Sequence, residues 1–121
     1  MFTLTKAFSF EAAHTLERAI ETEASRRIHG HSYRAEVTIG GAELGAGGML
    51  IDLGLFSAAL ARVRELLDHR FLDEIPGLAP ATLERLALFV WRELAAEFPA
   101  LVSVAICRDA LGERCVFRPD G

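Results

Sequence analysis

The chain has 121 residues, 51% of them hydrophobic and 25% charged, and carries a formal net charge of -4. That is the size of one domain, 1–121, with apolar residues enough for its own core, which argues against disorder. No apolar run reaches the roughly 20 residues that span a bilayer, no basic run offers a phosphate-backbone footprint, and the start, MFTLTKAFSFEAAH, lacks the basic and apolar blocks of a leader; no membrane, no nucleic acid and a cytoplasmic setting are the expectations.

Phe2, Leu4, Phe8 and Phe10 alternate with Thr3, Thr5 and Ser9 and predict a strand over 2–13, with Phe8, Phe10, Ala12 and His14 on one face. Residues 15–27 are too polar to hold a core position and read as a mobile loop or a short irregular helix. Residues 28–40 predict a second strand: His29, His31, Tyr33, Ala35, Val37 and Ile39 share one face, and Ser32, Arg34, Glu36 and Thr38 the other. The Gly-rich GGAELGAGG lacks the spacing of a phosphate loop and reads as a connection. Asp52 caps a helix over 53–67 whose apolar stripe is Leu53, Phe56, Leu60, Val63 and Leu67. A second helix over 82–97 starts at Thr82, turns Leu83, Leu86, Phe89 or Val90, and Leu94 inward, and stops before Pro99. Strands over 101–108 and 113–118, joined by DALG, close the chain.

The order β-β-α-α-β-β predicts an α+β fold, a four-stranded antiparallel sheet with two helices on one face. Such a sheet has two open edges, and edge-to-edge assembly into a ring would protect them; together with the high apolar fraction, this predicts an oligomer. Cys107 and Cys115 are too few for a disulfide framework and read as small core residues. Phe89 and Trp91 read as packing residues, and Arg26 and Arg27 as a surface pair or as contacts for a triphosphate.

All four histidines lie where chemistry is plausible. His29 and His31 share a strand face about 7 Å apart, and Gly30 between them leaves the opposite face bare. His14 ends the preceding strand and can sit beside them. Three neutral imidazoles with one open position are the make-up of a catalytic zinc site; the alternative is an exposed strand with His14 unrelated to it. His69 follows Asp68, a pairing that suits an oriented acid or base, and equally a charge feature at a helix end.

The segments FEAAH (10–14), HGHSY (29–33), IDL (51–53), LDHRFLD (67–73), ATLERLA (81–87) and CVFR (115–118) together resemble the 6-pyruvoyl-tetrahydropterin synthase family, most of all its short bacterial branch, the 6-carboxy-tetrahydropterin synthases of the queuosine pathway. The resemblance spans nearly the whole chain and implies the T-fold (tunnelling fold), with trimers forming a barrel and two trimers stacking into a homohexamer. It implies Zn2+ held by His14, His29 and His31, Asp68 and His69 as the proton-handling pair reaching in from a neighbouring subunit, and a pterin such as dihydroneopterin triphosphate as substrate. Thr82 and Glu84 match the family's helix start on the substrate side, with a mainly structural role.

Two positions depart from the family pattern. Ser25 stands where the family has its catalytic cysteine, and a hydroxyl without a neighbouring base does not abstract a carbon-bound proton as a thiolate does. Asp109 stands where the family has the glutamate that grips the pterin edge, with Glu113 a possible substitute. Another branch uses a glutamate near the cysteine position; here the loop holds Glu17, Glu21 and Glu23, which serve in that way or form a solvated charged loop. The expectation is therefore a zinc-dependent lyase of this family. The alternatives are a paralogue with another substrate, for instance in natural-product cyclisation, and a non-catalytic pterin-binding protein.

Overall fold

The structure, a computed structural model, describes residues 1–119; the last two residues of the expected domain lie outside the described residues. The alternating pattern at the N-terminus forms a long strand, β1 (Phe2–His14), and after the short helix α1 (Thr22–Arg26) the second alternating segment forms β2 (His29–Gly41). The two pair antiparallel over their full length, from Phe2 opposite Gly41 to His14 opposite His29. The helices α2 (Leu53–Leu67) and α3 (Leu83–Leu94) follow, then β4 (Leu101–Arg108) and β5 (Glu113–Phe117).

Between the two helices lies β3, Arg70–Phe71, which pairs parallel with β1 at Ala12 and Ala13. The sheet therefore has five strands in the order β3-β1-β2-β4-β5 rather than four, and it is mixed rather than purely antiparallel. The extra strand arises because the chain leaving α2 is tied to the β1 edge: His69 N–H donates to Glu11 O (2.6 Å), and Asp68 Oδ1 accepts from Glu11 N–H (2.9 Å). Two residues are too few to show a period.

Both helices start where capping chemistry places them. Asp52 Oδ1 accepts from the N–H groups of Gly54 (2.7 Å) and Leu55 (3.3 Å), and Thr82 Oγ1 accepts from Arg85 N–H (3.1 Å). On α2 the buried stripe is Phe56, Ala59, Leu60, Val63 and Leu67. Leu53, expected to face inward, is exposed, because the first helical position lies at the end of the sheet; Ala59 takes an inward place. On α3 the fully buried residue is Val90, with Phe89 only partly covered, and the helix ends at Leu94 rather than 97.

The helices cover the face of the sheet that carries Phe10, Ala12, Tyr33, Ala35, Val37, Ile39, Val104 and Ile106, all buried. Each large side chain buried there contributes about 1.5–3 kcal/mol, so register is fixed: a one-residue slip would turn this row outward. The same alternation carries His14, His29 and His31 onto this face, at its end.

Candidate active site and metal centre

β1 ends and β2 begins at the same place, so the cross-strand pair His14–His29 stands side by side, with His31 two residues on. The ring centroids are 4.6 Å apart for His14–His29 and 4.9 Å apart for both pairs with His31. One nitrogen from each ring lies within 4.8 Å of the others.

Two of the rings are oriented by backbone. His14 Nδ1 lies 2.8 Å from Ala81 O, and His29 Nδ1 lies 2.8 Å from Arg27 O. A carbonyl only accepts, so both Nδ1 atoms carry the proton and each Nε2 presents a lone pair. His14 Nε2 is buried and has no hydrogen-bond partner. Burial lowers the pKa of His14. Burial, then the charge of Arg108, pushes His31 down to about 4. Neutral imidazoles with converging lone pairs are what a metal ligand set requires, and three of them fit a tetrahedral site with one open position. The donor set therefore fits zinc.

The residues around the rings include several that the sequence did not single out for the site. Asp73 holds the end of β1: Thr15 N–H donates to Asp73 Oδ1 (3.1 Å) and the Thr15 hydroxyl to Oδ2. Tyr33 stacks on Phe10 at 4.9 Å and meets His31 edge-on at 5.7 Å; its hydroxyl is buried without a partner, and burial raises its pKa to about 12. Arg108 places Nη1 3.4 Å from His31 Nε2. A carbonyl such as that of Ala81 cannot be read from residue type, and Arg108 reads only as the end of a strand.

Asp68 and His69 meet as a pair, His69 Nδ1 lying 2.9 Å from Asp68 Oδ2. Asp68 also receives Arg64 Nη2 at 3.1 Å. Its pKa is held low, first by the Glu11 N–H and then by the His69 contact. His69 adopts the left-handed conformation, φ 58°, and its side chain is 79% exposed, lining an open hollow with Glu11, Ala13, Gly30 and Ser32. The pair is thus built and oriented, and it faces solvent.

Ser25 is buried in α1, which folds back on the end of β1 through Leu16 N–H to Ser25 O (2.8 Å). The loop glutamates pair with loop arginines: Glu17 with Arg26 at 3.1 Å, Glu23 with Arg27 at 2.9 Å, Glu21 with Arg18 at 3.9 Å. This is the solvated charged loop, and Arg26 and Arg27 are its surface cations. Thr82 is a cap and Glu84 is exposed in the first turn of α3, the structural roles expected of them.

Asp109 is not brought to the histidines of its own chain. Its carboxylate accepts from Arg34 Nε (2.9 Å) and Nη2 (3.0 Å), and that fork lowers its pKa. Arg34 alternates with Tyr33 and so lies on the opposite face of β2. Gly30 has ordinary space around it; an added Cβ would meet only Ala12 O, at 3.7 Å. Cys107 and Cys115 are both free.

One mixed sheet under two helices, with three converging imidazoles at the mouth of β1 and β2, defines an α+β protein whose histidines could hold a metal ion. The family model for 6-pyruvoyl tetrahydropterin synthase matches residues 3–119, and the chain belongs to this family. It is 34% identical to a 6-carboxy-5,6,7,8-tetrahydropterin synthase of Synechocystis, over 98% of this chain and 95% of that one. It is 31% identical to a 6-pyruvoyl tetrahydrobiopterin synthase of Poecilia reticulata, over 80% and 76%. Among solved structures, the 6-pyruvoyl tetrahydropterin synthase of Caenorhabditis elegans superposes with a TM-score of 0.82 at 23% identity, covering 97% of this chain and 94% of that one. That of Plasmodium vivax gives 0.70 at 15%, covering 97% and 98%. The fold is the T-fold that the family resemblance implied.

Proposed function

We propose that the chain, as one domain over 1–121, is a zinc-dependent lyase acting on dihydroneopterin triphosphate or a related pterin, of the 6-carboxy-tetrahydropterin synthase kind found in queuosine biosynthesis. The observation that carries this reading is the His14–His29–His31 cluster, with its nitrogens within 4.8 Å and His14 Nε2 buried and unpartnered. When bound there, zinc supplies Lewis-acid polarisation of the oxygens on the pterin side chain.

The chain's own residues do the rest. Ala81 O and Arg27 O fix the tautomers that keep the Nε2 lone pairs free. Asp68, held by the Glu11 N–H, orients the His69 ring through its Nδ1, so that His69 serves as the group that moves a proton at its ring nitrogen. Because His69 is exposed beside Glu11, Ala13, Gly30 and Ser32, which alternate with the histidine-bearing positions, it works on the centre of a neighbouring subunit, which the homohexamer would provide. β5 and β1 beyond its two-residue pairing with β3 have no further partner strand among the described residues, which supports such assembly. Ser25 holds the place of the thiol and positions water or substrate by its hydroxyl. Asp109 anchors a heterocycle only after exchanging Arg34 for it. The partner is a small pterin-like molecule, in a cytoplasmic setting without nucleic acid or membrane; among the described residues no helix is long and apolar enough to cross one.

The test is incubation of zinc-loaded protein with dihydroneopterin triphosphate, products identified by mass spectrometry, with Ser25→Cys run in parallel. Turnover by the natural chain supports the reading, and the product names the branch. Activity appearing only with the cysteine would assign the site to a different substrate. Inactivity of both zinc-loaded forms would overturn the lyase reading.

A further inference from the structure

Buried polar atoms without partners are rare in folded proteins, and each calls for a reason. Among the described residues, the buried side-chain nitrogen and oxygen atoms with none are His14 Nε2, Tyr33 Oη and Arg108 Nε. All three belong to one corner of the molecule. Cys107 pairs with Arg34 on β2, so Arg108 and its cross-strand partner Glu113 face the other way, toward Tyr33 and His31. The Arg108 side chain is only 15% exposed; its Nε lies 2.6 Å from Glu113 Oε1, but no hydrogen bond is aligned between them. Its Nη1 touches His31 at 3.4 Å.

The charges in this corner do not balance once a dication sits on the three imidazoles. A guanidinium and a metal ion would then outweigh the two carboxylates near the rings, Glu113, which is half-exposed, and Asp73, which is held by Thr15. An anion with two oxygens would correct the charge and satisfy the fork of Arg108 and the Tyr33 hydroxyl together.

We propose that Arg108 is a substrate-binding and specificity-determining residue: with Tyr33 it receives a carboxylate of the molecule held at the histidine centre, and Glu113 is the counter-ion which that carboxylate displaces. This rests on the reading above for the rest of the ligand, a pterin. It selects ligands carrying a negative charge on the part held beside the histidines over neutral ones of the same shape.

The experiment uses the full chain loaded with Co2+, whose visible spectrum reports both metal content and ligand arrival. Pterin-6-carboxylate, 6-hydroxymethylpterin and acetate are titrated into the natural protein, Arg108→Met, Arg108→Lys and Glu113→Gln. Arg108→Met is expected to weaken pterin-6-carboxylate and acetate about tenfold or more, the scale of one charge-assisted hydrogen bond, and to leave 6-hydroxymethylpterin and the cobalt spectrum unchanged. Glu113→Gln is expected to tighten the carboxylates, and Arg108→Lys to recover part of the loss. Equal weakening of charged and neutral pterins, no weakening at all, or weaker carboxylate binding in Glu113→Gln would each overturn the proposal. If neither pterin binds the natural chain while acetate still depends on Arg108, the pterin reading fails and the assignment of Arg108 stands. Should Arg108→Met not fold, the opposed shifts expected of Arg108→Lys and Glu113→Gln decide.

Discussion

On the sheet face turned away from the helices, polar side chains answer one another. The hydroxyls of Thr5 and Thr38 lie 2.6 Å apart, and Ser32 donates to Glu11 at 2.6 Å. Arg34 forks onto Asp109 and reaches Glu36, which also receives Arg114 at 2.7 Å. At the end of the helix-covered face the reverse holds: His14 Nε2 and Tyr33 Oη are buried without a hydrogen bond, and Arg108 Nε, though 2.6 Å from Glu113, makes no aligned one. Both sets lie on the same strands and differ only by the parity of the residue number. The paired face is finished by folding alone. The unpaired corner is finished by something that binds, since leaving such groups unmet costs about 1–3 kcal/mol each.

The largest effect that would break this contrast is at His14. Replacing His14 with Ala removes a lone pair that the fold has no other use for. Loss of a group that merely orients a ligand already weakens metal binding ~10–100-fold, so loss of the ligand itself should cost at least about a hundredfold. Competition with a chromophoric zinc chelator measures it; retention of zinc at natural affinity would mean that His29 and His31 find another third donor.

A smaller and opposite effect is expected at Tyr33. Its ring stacks on Phe10, and its hydroxyl lies near Arg108 without an aligned hydrogen bond. Tyr33→Phe should therefore leave the metal-free chain as stable as before or more stable by up to about 1 kcal/mol, read by urea denaturation. A loss of stability would show that the hydroxyl is already satisfied and that the corner is less open than it looks.

The paired face gives the pH signature. Hydrogen bonds from Arg114 and then Arg34 hold Glu36 below its ordinary 4.5. The unfolded chain takes up this proton first as pH falls, so the contribution of Glu36 is complete above 4.5 and is lost as pH drops through the lowered folded value. Glu36→Gln should cost about 1 kcal/mol at pH 7 and progressively less as pH falls below 4.5 toward the lowered folded value. A cost that stays constant with pH would place it in packing rather than in charge.

How much of this was legible follows from the range of each interaction. The strands and their inward faces could be read because apolar alternation is a local signal, and the caps Asp52 and Thr82 because capping acts within three residues. β3 escaped because it is two residues long and is held by the backbone of Glu11, 58 residues before His69. The three clustered histidines were legible by residue type, but the Ala81 carbonyl that orients His14 carries no side-chain signature. Asp109 could be placed in the sequence pattern while its partner Arg34, 75 residues away, could not. Arg108 looked like an ordinary strand end, and Glu113 stood out only as a possible substitute for the family's glutamate, because only the pairing of β4 with β2 and β5 turns both toward the histidines.

The smallest expected effect lies in the charged loop, and it bears on where the missing thiolate's work is done. Glu23 sits two residues before Ser25, which made it a candidate base. Its side chain is 86% exposed and paired with Arg27, itself 73% exposed. An ion pair so open to water contributes about 0–1 kcal/mol, and a carboxylate held in that pair on the surface is not aimed at the histidine centre. Glu23→Gln should thus change stability by less than about 0.5 kcal/mol and leave product formation from the pterin substrate at its natural rate. A tenfold or greater fall in turnover, with zinc content unchanged, would instead mean that the loop closes over the centre when substrate binds and breaks the Glu23–Arg27 pair. Proton abstraction would then belong to the loop, and the division between the paired and unpaired regions would hold only for the free chain.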